Sequence, residues 1–184
     1  LGHSQADSVK LSSPTQLPGT NWGDPEEGKF AISQNYTAGA IKTDGTLWMW
    51  GENQNGALGQ NNNQEASGSR SSPTQVGSDT TWKSIAFNSG SAVSATKTDG
   101  TLWGWGDNGN GDLGHNNTTP YSSPKQVGSD TTWDRVWPAQ SGSTRVSKTD
   151  ETLWPKGGAY GCLLYTSDAA HAGLGVDLRG PRII

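Results

Sequence analysis

Asp44-Gly45-Thr46-Leu47-Trp48-Met49-Trp50-Gly51, followed by Asn53, Gly56, Leu58 and Gly59, is a stretch that this chain writes twice. Starting 55 residues later, Asp99-Gly100-Thr101-Leu102-Trp103-Gly104-Trp105-Gly106 is followed by Asn108, Gly111, Leu113 and Gly114, and a third copy begins at Asp150 with Thr152-Leu153-Trp154. Self-similarity at this period marks stacked supersecondary units, none of which can bury its apolar face alone. Within the stretch, side chains alternate. Trp48 and Trp50 share one face and Leu47 and Met49 the other, as do Trp103 and Trp105 against Leu102 and Gly104. Both faces are largely apolar, which suits a sheet packed between two neighbouring sheets.

The copies extend outward from that core. The first runs through Ser12-Ser13-Pro14-Thr15-Gln16-Leu17 and Trp22; the second through Leu58-Gly59-Gln60, Ser71-Ser72-Pro73-Thr74-Gln75-Val76 and Trp82; the third through Leu113-Gly114-His115, Ser122-Ser123-Pro124-Lys125-Gln126-Val127 and Trp133. Four short strands are expected per copy, as in a propeller blade. In the second copy they are an edge-like strand after Pro73, residues 82–87, residues 91–97 and residues 101–105. Asp99-Gly100, like Asp44-Gly45, reads as a type I′ hairpin with positive φ at both residues. The segments 51–59 and 106–114 read as compact loops that plug Leu58 and Leu113 back into the core.

Composition supports order without an aliphatic core: nine Trp and 26 Gly stand against two Phe and one Met, with a hydrophobic fraction of 30%. Low hydrophobicity alone would suggest disorder, but nine indoles and a net charge of only −4 argue against it. Thirteen basic residues are dispersed among 17 acidic ones, so no stripe is available to neutralise phosphates and nucleic acid is not expected as a partner. No apolar run approaches a membrane span, and no membrane association is expected. Because Leu1-Gly2-His3 aligns with the interior of a repeat, the chain is expected to begin in mid-protein. Cys162 is the single cysteine and leaves the compartment open.

At these residues the chain resembles the regulator of chromosome condensation repeat family, whose blades end in a pattern close to Asp-Gly-x-Leu/Val-Trp/Tyr-x-Trp-Gly-x-Asn-x-x-Gly-x-Leu-Gly. The match runs over about residues 1–154. The resemblance implies a seven-bladed β-propeller, of which this chain would hold somewhat under three blades. The Gly-x-x-His that the family often carries before the Asp-Gly turn is missing from every copy, which separates this branch from the eukaryotic nucleotide-exchange proteins. Members of the family include an exchange factor for a small GTPase, chromatin binders, a UV-B photoreceptor and a β-lactamase inhibitor, so membership alone does not fix function. The expected architecture is all-β, a partial propeller of about three four-stranded antiparallel blades at residues 1–57, 58–112 and 113–161.

Repeat character fails at the end. Asp150-Glu151 stands where Asp-Gly is wanted, and Trp154-Pro155-Lys156 loses the second Trp. Residues 162–184, beginning Cys162-Leu163-Leu164-Tyr165-Thr166-Ser167-Asp168-Ala169-Ala170, resemble the translation of a transposase-type sequencing adapter and are set aside from fold reasoning, the rival reading being a divergent C-terminus.

No catalytic constellation emerges. His3 and His115 occupy one repeat position, where the middle copy has Gln60, which reads as an interchangeable polar loop residue; His171 lies in the suspect tail. Asp107-Asn108-Gly109-Asn110-Gly111-Asp112 is oxygen-rich but lacks the glycine and bidentate Glu of a calcium loop, and its twin has Ala57 in place of Asp112. Ser89-Gly90-Ser91 and Ser141-Gly142-Ser143 fit no nucleophile elbow. Asn35-Tyr36-Thr37, Asn116-Asn117-Thr118 and Asn117-Thr118-Thr119 are glycosylation sequons, read as chance in a chain rich in Asn and Thr. No metal and no cofactor are expected.

The resulting expectation is a non-enzymatic scaffold for recognition of a protein. Its contact candidates are Asn53, Gln54, Asn55, Asn108, Asn110 and His115; its structural residues are Trp48, Trp50, Trp82, Trp103, Trp105, Trp133, Gly45 and Gly100. The alternatives are a GTPase exchange factor, which would need a protruding insertion where the length excess at residues 61–70 is only a few residues long, and carbohydrate binding through exposed Trp. Open flanks are expected to meet the remaining blades of a longer chain or to self-associate.

Overall fold

A computed structural model describes residues 16–17, 19–62, 68–88, 90–138 and 144–156. The segments Leu1-Gly2-His3 and Ser12-Ser13-Pro14-Thr15, part of the 61–70 excess, Ser89, Ser141-Gly142-Ser143 and the tail 162–184 with Cys162 and His171 lie outside the described residues.

Among the described residues, eleven strands form three antiparallel sheets. The first is β1 (Phe30–Ile32), β2 (Thr37–Ile41), β3 (Leu47–Gly51) and β4 (Arg70–Gln75) in sequential order. The second is β5 (Trp82–Phe87), β6 (Ala92–Lys97), β7 (Leu102–Gly106) and β8 (Tyr121–Gln126). The third has three described strands, β9 (Trp133–Trp137), β10 (Thr144–Lys148) and β11 (Leu153–Lys156). The architecture is all-β, a partial set of propeller blades.

The grouping of strands differs from the grouping of repeats. The edge-like strand read as the start of the second copy is β4, which pairs with β3 of the preceding sheet through Met49↔Thr74 and Trp48↔Gln75, and Val76 N–H donates to Leu47 O at 2.8 Å. Boundaries at 57/58 and 112/113 therefore fall inside sheets, and the sheets divide one strand later. The reason is hydrogen bonding: an outermost strand needs a ladder on one side only, so Pro73 and Pro124 are accommodated within β4 and β8.

Both faces of the middle sheet are covered. Leu47 and Met49 pack with Trp82, Ile85, Val93 and Trp105 between the first two sheets, and Leu102 and Ala86 pack with Trp133, Val136 and Val146 between the second and third. Leu58 and Leu113 are fully buried. On the other side of the first sheet Ala38, Ala40 and Trp50 cluster with Trp22 and Phe30.

The Asp-Gly hairpins adopt a different turn from the one expected. Gly45 and Gly100 have φ of 80° and 79°, but Asp44 and Asp99 are absent from the positive-φ residues, and Gly100 N–H closes on Lys97 O at 3.0 Å. This is a type I turn followed by a left-handed glycine. The aspartate is used for its side chain, described next.

Candidate binding surface

Each hairpin carries the same local network. Asp99 Oδ1 accepts from Thr101 N–H at 3.0 Å and from Thr101 Oγ1 at 2.6 Å, and Trp103 Nε1 donates to Thr101 Oγ1 at 2.7 Å. Asp44-Thr46-Trp48 and Asp150-Thr152-Trp154 repeat it. The threonine bonds hold all three carboxyls below the usual aspartate range. An ammonium lies over the indoles: Lys97 Nζ is 3.7 Å from the Trp103 centroid and 4.6 Å from that of Trp82, and it meets Asp79 at 2.5 Å. Lys148 does the same over Trp133 and Trp154, with Asp130 at 2.7 Å.

Of the tryptophans expected between blades, Trp50, Trp82, Trp105 and Trp133 are buried, and Trp105 Nε1 donates to Ala57 O across the blade boundary at 2.9 Å. Trp48 and Trp103 are half-buried. They sit at the hairpin end of the strand, where lysine covers part of the ring. Trp103 lines a groove of about 640 Å³ with Gln60, Asn61, Asp79, Lys97 and Ser123.

The loop candidates separate into two groups. Asn53 and Asn108 are fully buried, which corrects their reading as surface contacts. Each carbonyl oxygen accepts the N–H of Leu58 or Leu113 at 3.0 and 2.9 Å, and each amide donates across the loop, to Asn62 O at 2.7 Å and Asn117 O at 2.8 Å. They are interior struts that satisfy loop backbone which would otherwise be buried without partners. His115 is half-buried against Tyr121, with its Nε2 3.3 Å from Gly104 O, and burial holds its pKa below the ordinary value. Gln54 and Asn110 are exposed, and Asn55 is half-buried with φ of 52°. No group of three His, Cys, Asp or Glu that could hold a metal occurs among the described residues.

Beside Gln54 lies a patch that the sequence reading passed over. Tyr36, in the turn between β1 and β2, is 71% exposed and holds φ of 58°, a left-handed conformation uncommon for a bulky residue. Its carbonyl accepts from Glu52 N–H at 3.2 Å. Asn35 Nδ2 donates to Gln54 Oε1 at 2.8 Å and to Ser91 Oγ, in the turn before β6, at 3.2 Å, and Ser91 Oγ donates to Gln54 at 3.1 Å. Asn35, Tyr36, Glu52 and Gln54 enclose a recess of about 230 Å³. In sequence, Asn35-Tyr36-Thr37 stands out only as a glycosylation sequon.

The repeat model described as "Regulator of chromosome condensation (RCC1) repeat" matches residues 44–95 and 99–143. Among solved structures, the chain is similar to human WBSCR16, with a TM-score of 0.63 and 15% identity over 85% of this chain and 39% of that one. It is also similar to yeast RCC1 (Prp20) bound to Kap60, with a TM-score of 0.56 and 16% identity over 71% of this chain and 32% of that one. Prp20p from Saccharomyces cerevisiae, in a structure reported with its binding properties to Gsp1p and histones, gives a TM-score of 0.55 at 16% identity. The chain thus spans about a third of the length of these proteins. With the repeat matched over more than half of its residues, this chain belongs to the family of regulator of chromosome condensation (RCC1) repeat proteins.

Proposed function

We propose that this chain is a non-enzymatic recognition scaffold that binds a protein partner through the loops at one end of its blades, with Tyr36 as the central contact, Gln54 beside it, and Asn55 and Asn110 on the equivalent loops of the first and second blades. The observation that carries this reading is Tyr36: a large amphipathic side chain held in solvent by strained backbone, above amides tied together across two blades. Exposed tyrosine on a rigid support is the kind of group that dominates protein interfaces. The relatives add support, since yeast RCC1 is bound to Kap60 and Prp20p has binding properties toward Gsp1p and histones.

Carbohydrate recognition is less well supported, because the half-buried Trp103 has Lys97 over its ring. Exchange-factor activity is also less well supported: the excess at residues 61–70 is only a few residues long, and the five extra residues of the first blade, 24–28, turn inward to contact Ile85 and Arg135.

A photo-crosslinking residue placed at position 36 of the chain, expressed in its source cells, tests the reading. A discrete protein adduct competed by excess unlabelled chain but not by the Tyr36→Ala form is expected. Equal labelling from position 36 and from a control at Lys83, or competition by both forms, would refute it.

A further inference from the structure

The first sheet departs from the other two at one point. Trp22 and Asp44 lie 22 residues apart, whereas Trp82 and Asp99, and Trp133 and Asp150, lie 17 apart. The excess falls between the Trp22↔Lys42 bridge and the Phe30↔Ala40 pair, where β5 runs on through Lys83 and Ser84. It folds as a preformed turn: Asp24 Oδ1 accepts from Glu26 N–H at 2.8 Å, Pro25 opens the 3-10 turn Pro25–Glu27, and Gly28 ends it with φ of 75°.

The junction between the second and third blades shows what this turn replaces. Val136 N–H, at the inner strand of the third sheet, donates to Ser84 Oγ at 3.1 Å. Thr96 Oγ1 lies 2.7 Å from Ser84 Oγ and donates to Asp134 O at 3.0 Å. The residue in register with Val136 in the second sheet is Ile85, and its N–H also needs an acceptor from the preceding blade. There the first sheet has Ile41 in the place of Thr96, since Ile41 faces Leu47 as Thr96 faces Leu102. No hydroxyl pair exists at that junction. The acceptor is the Gly28 carbonyl, 2.9 Å from Ile85 N. Ile85 is almost fully buried, so without that carbonyl its N–H would be left unsatisfied.

The turn reaches one blade further. Glu26 O accepts from the Arg135 guanidinium, and Arg135 occupies in the third sheet the place of Ser84 in the second. A Cβ at Gly28 would stand 2.8 Å from Arg135 Nε, so glycine makes this approach possible.

We propose that residues 24–29 form a strap across the inner edges of three successive blades, pinning the second through Ile85 and the third through Arg135.

Hydrogen exchange on the full chain tests the strap. In a variant lacking residues 24–28 and carrying Lys29→Ala, the inner strand takes the length of that of the second blade without supplying a hydroxyl in the place of Ser84, and the β2–β3 hairpin is untouched. The expected result is at least tenfold faster exchange of the Ile85 amide, with the β6–β7 ladder amides changed less than threefold. An unchanged Ile85 amide, or equal acceleration in all three sheets, would overturn the proposal. The Arg135→Gln variant, which keeps the turn intact, serves if the shortened chain does not fold. It is expected to speed exchange in β10 at least threefold relative to β6, and no difference between the two would overturn the proposal.

Discussion

The second and third blades are written on one template, and three of the positions at which they differ separate the hairpin from the layer between blades. In the second, Trp105 is fully buried and gives its indole N–H to Ala57 O of the preceding loop. In the third, Lys156 stands in that place, 3% exposed, with its Nζ donating to Ser94 Oγ at 2.7 Å, and Asp112, the loop position equivalent to Ala57, favours its charge. Gly100 is likewise replaced by Glu151, which keeps the left-handed backbone with φ of 67°. Yet the Asp-Thr-Trp network is the same in both. The hairpin is thus a local device that tolerates loss of its glycine, whereas the layer between blades is a separate problem solved in two chemically opposite ways.

Copying the third solution into the second should have the largest effect. Trp105→Lys removes a buried indole and places an ammonium beside Ala57, with no carboxylate there. Loss of a buried Trp typically costs about 3–5 kcal/mol before the charge is counted. Urea unfolding is expected to show at least that loss. Adding Ala57→Asp should recover about 1 kcal/mol or more, within the range of coupled neighbours. A Trp105→Lys chain as stable as the parent would mean that the two interfaces are interchangeable.

The next effect is a pH dependence confined to the third blade. Burial lowers the Lys156 pKa to about 7, with Asp112 opposing the shift, while the unfolded chain keeps an ordinary lysine near 10.5. His115 is the other titrating neighbour, and it lies low for the same reason. Between pH 7 and 10.5 the unfolded state therefore binds more protons than the folded one, so stability rises with pH over that window. Below pH 7 the lysine is charged in both states and its desolvation is felt in full. Urea midpoints at pH 6, 8 and 10 should climb in the parent relative to Lys156→Met, and the Met variant should be the more stable at pH 6. Parallel curves would remove Lys156 from the account.

How much of this could be read beforehand differs from residue to residue. Period-two alternation was enough to bring Trp50 and Trp105 inside, because both faces of the strand were apolar. Asp-Gly located each hairpin but not its turn type, since the aspartate serves as a side-chain acceptor, a role independent of a positive φ. Asn53 and Asn108 illustrate the harder case: asparagine in a glycine-rich loop suits a surface contact and a buried strut equally, and only the acceptors brought in by Asn62 and Asn117 decide it. The inward turn at residues 24–29 was countable from the Trp22–Asp44 spacing, but its direction depended on Gly28 and Arg135, far apart in sequence. Tyr36 carried no pattern at all.

A smaller effect separates the two hairpins. At Gly100, a Cβ would run into the Thr131 carbonyl of the connection to the third blade, and Gly45 meets Thr80 in the same way. Gly100→Glu should cost more than the roughly 1–2 kcal/mol of left-handed strain, because the connection must also move. Glu151→Gly should instead stabilise, by up to about 1 kcal/mol, since it relieves the strain already present. The two thermal shifts are expected to have opposite signs. If they had the same sign, the template would not be shared.

The smallest effect addresses what the blades have in common. Asp44, Asp99 and Asp150 each accept from a threonine N–H and hydroxyl, and those bonds hold each carboxyl below its usual 3.8. The unfolded chain takes up protons first as the pH falls past 4, so stability declines from there down through the folded values. All three side chains are largely open to solvent, and each contribution is accordingly modest. Asparagine keeps an oxygen for the turn and removes the titration, so Asp→Asn at a given hairpin should flatten the acid limb of the stability curve by lowering the neutral value by the small amount that the ionised carboxylate contributes. The flattening should be the same size at Asp99 and Asp150 despite Gly100 and Glu151 beside them, because the network runs through Thr101 and Thr152 and not through the residue that carries the strain. A larger change at one of the two would show that the turn backbone and the carboxylate are coupled after all.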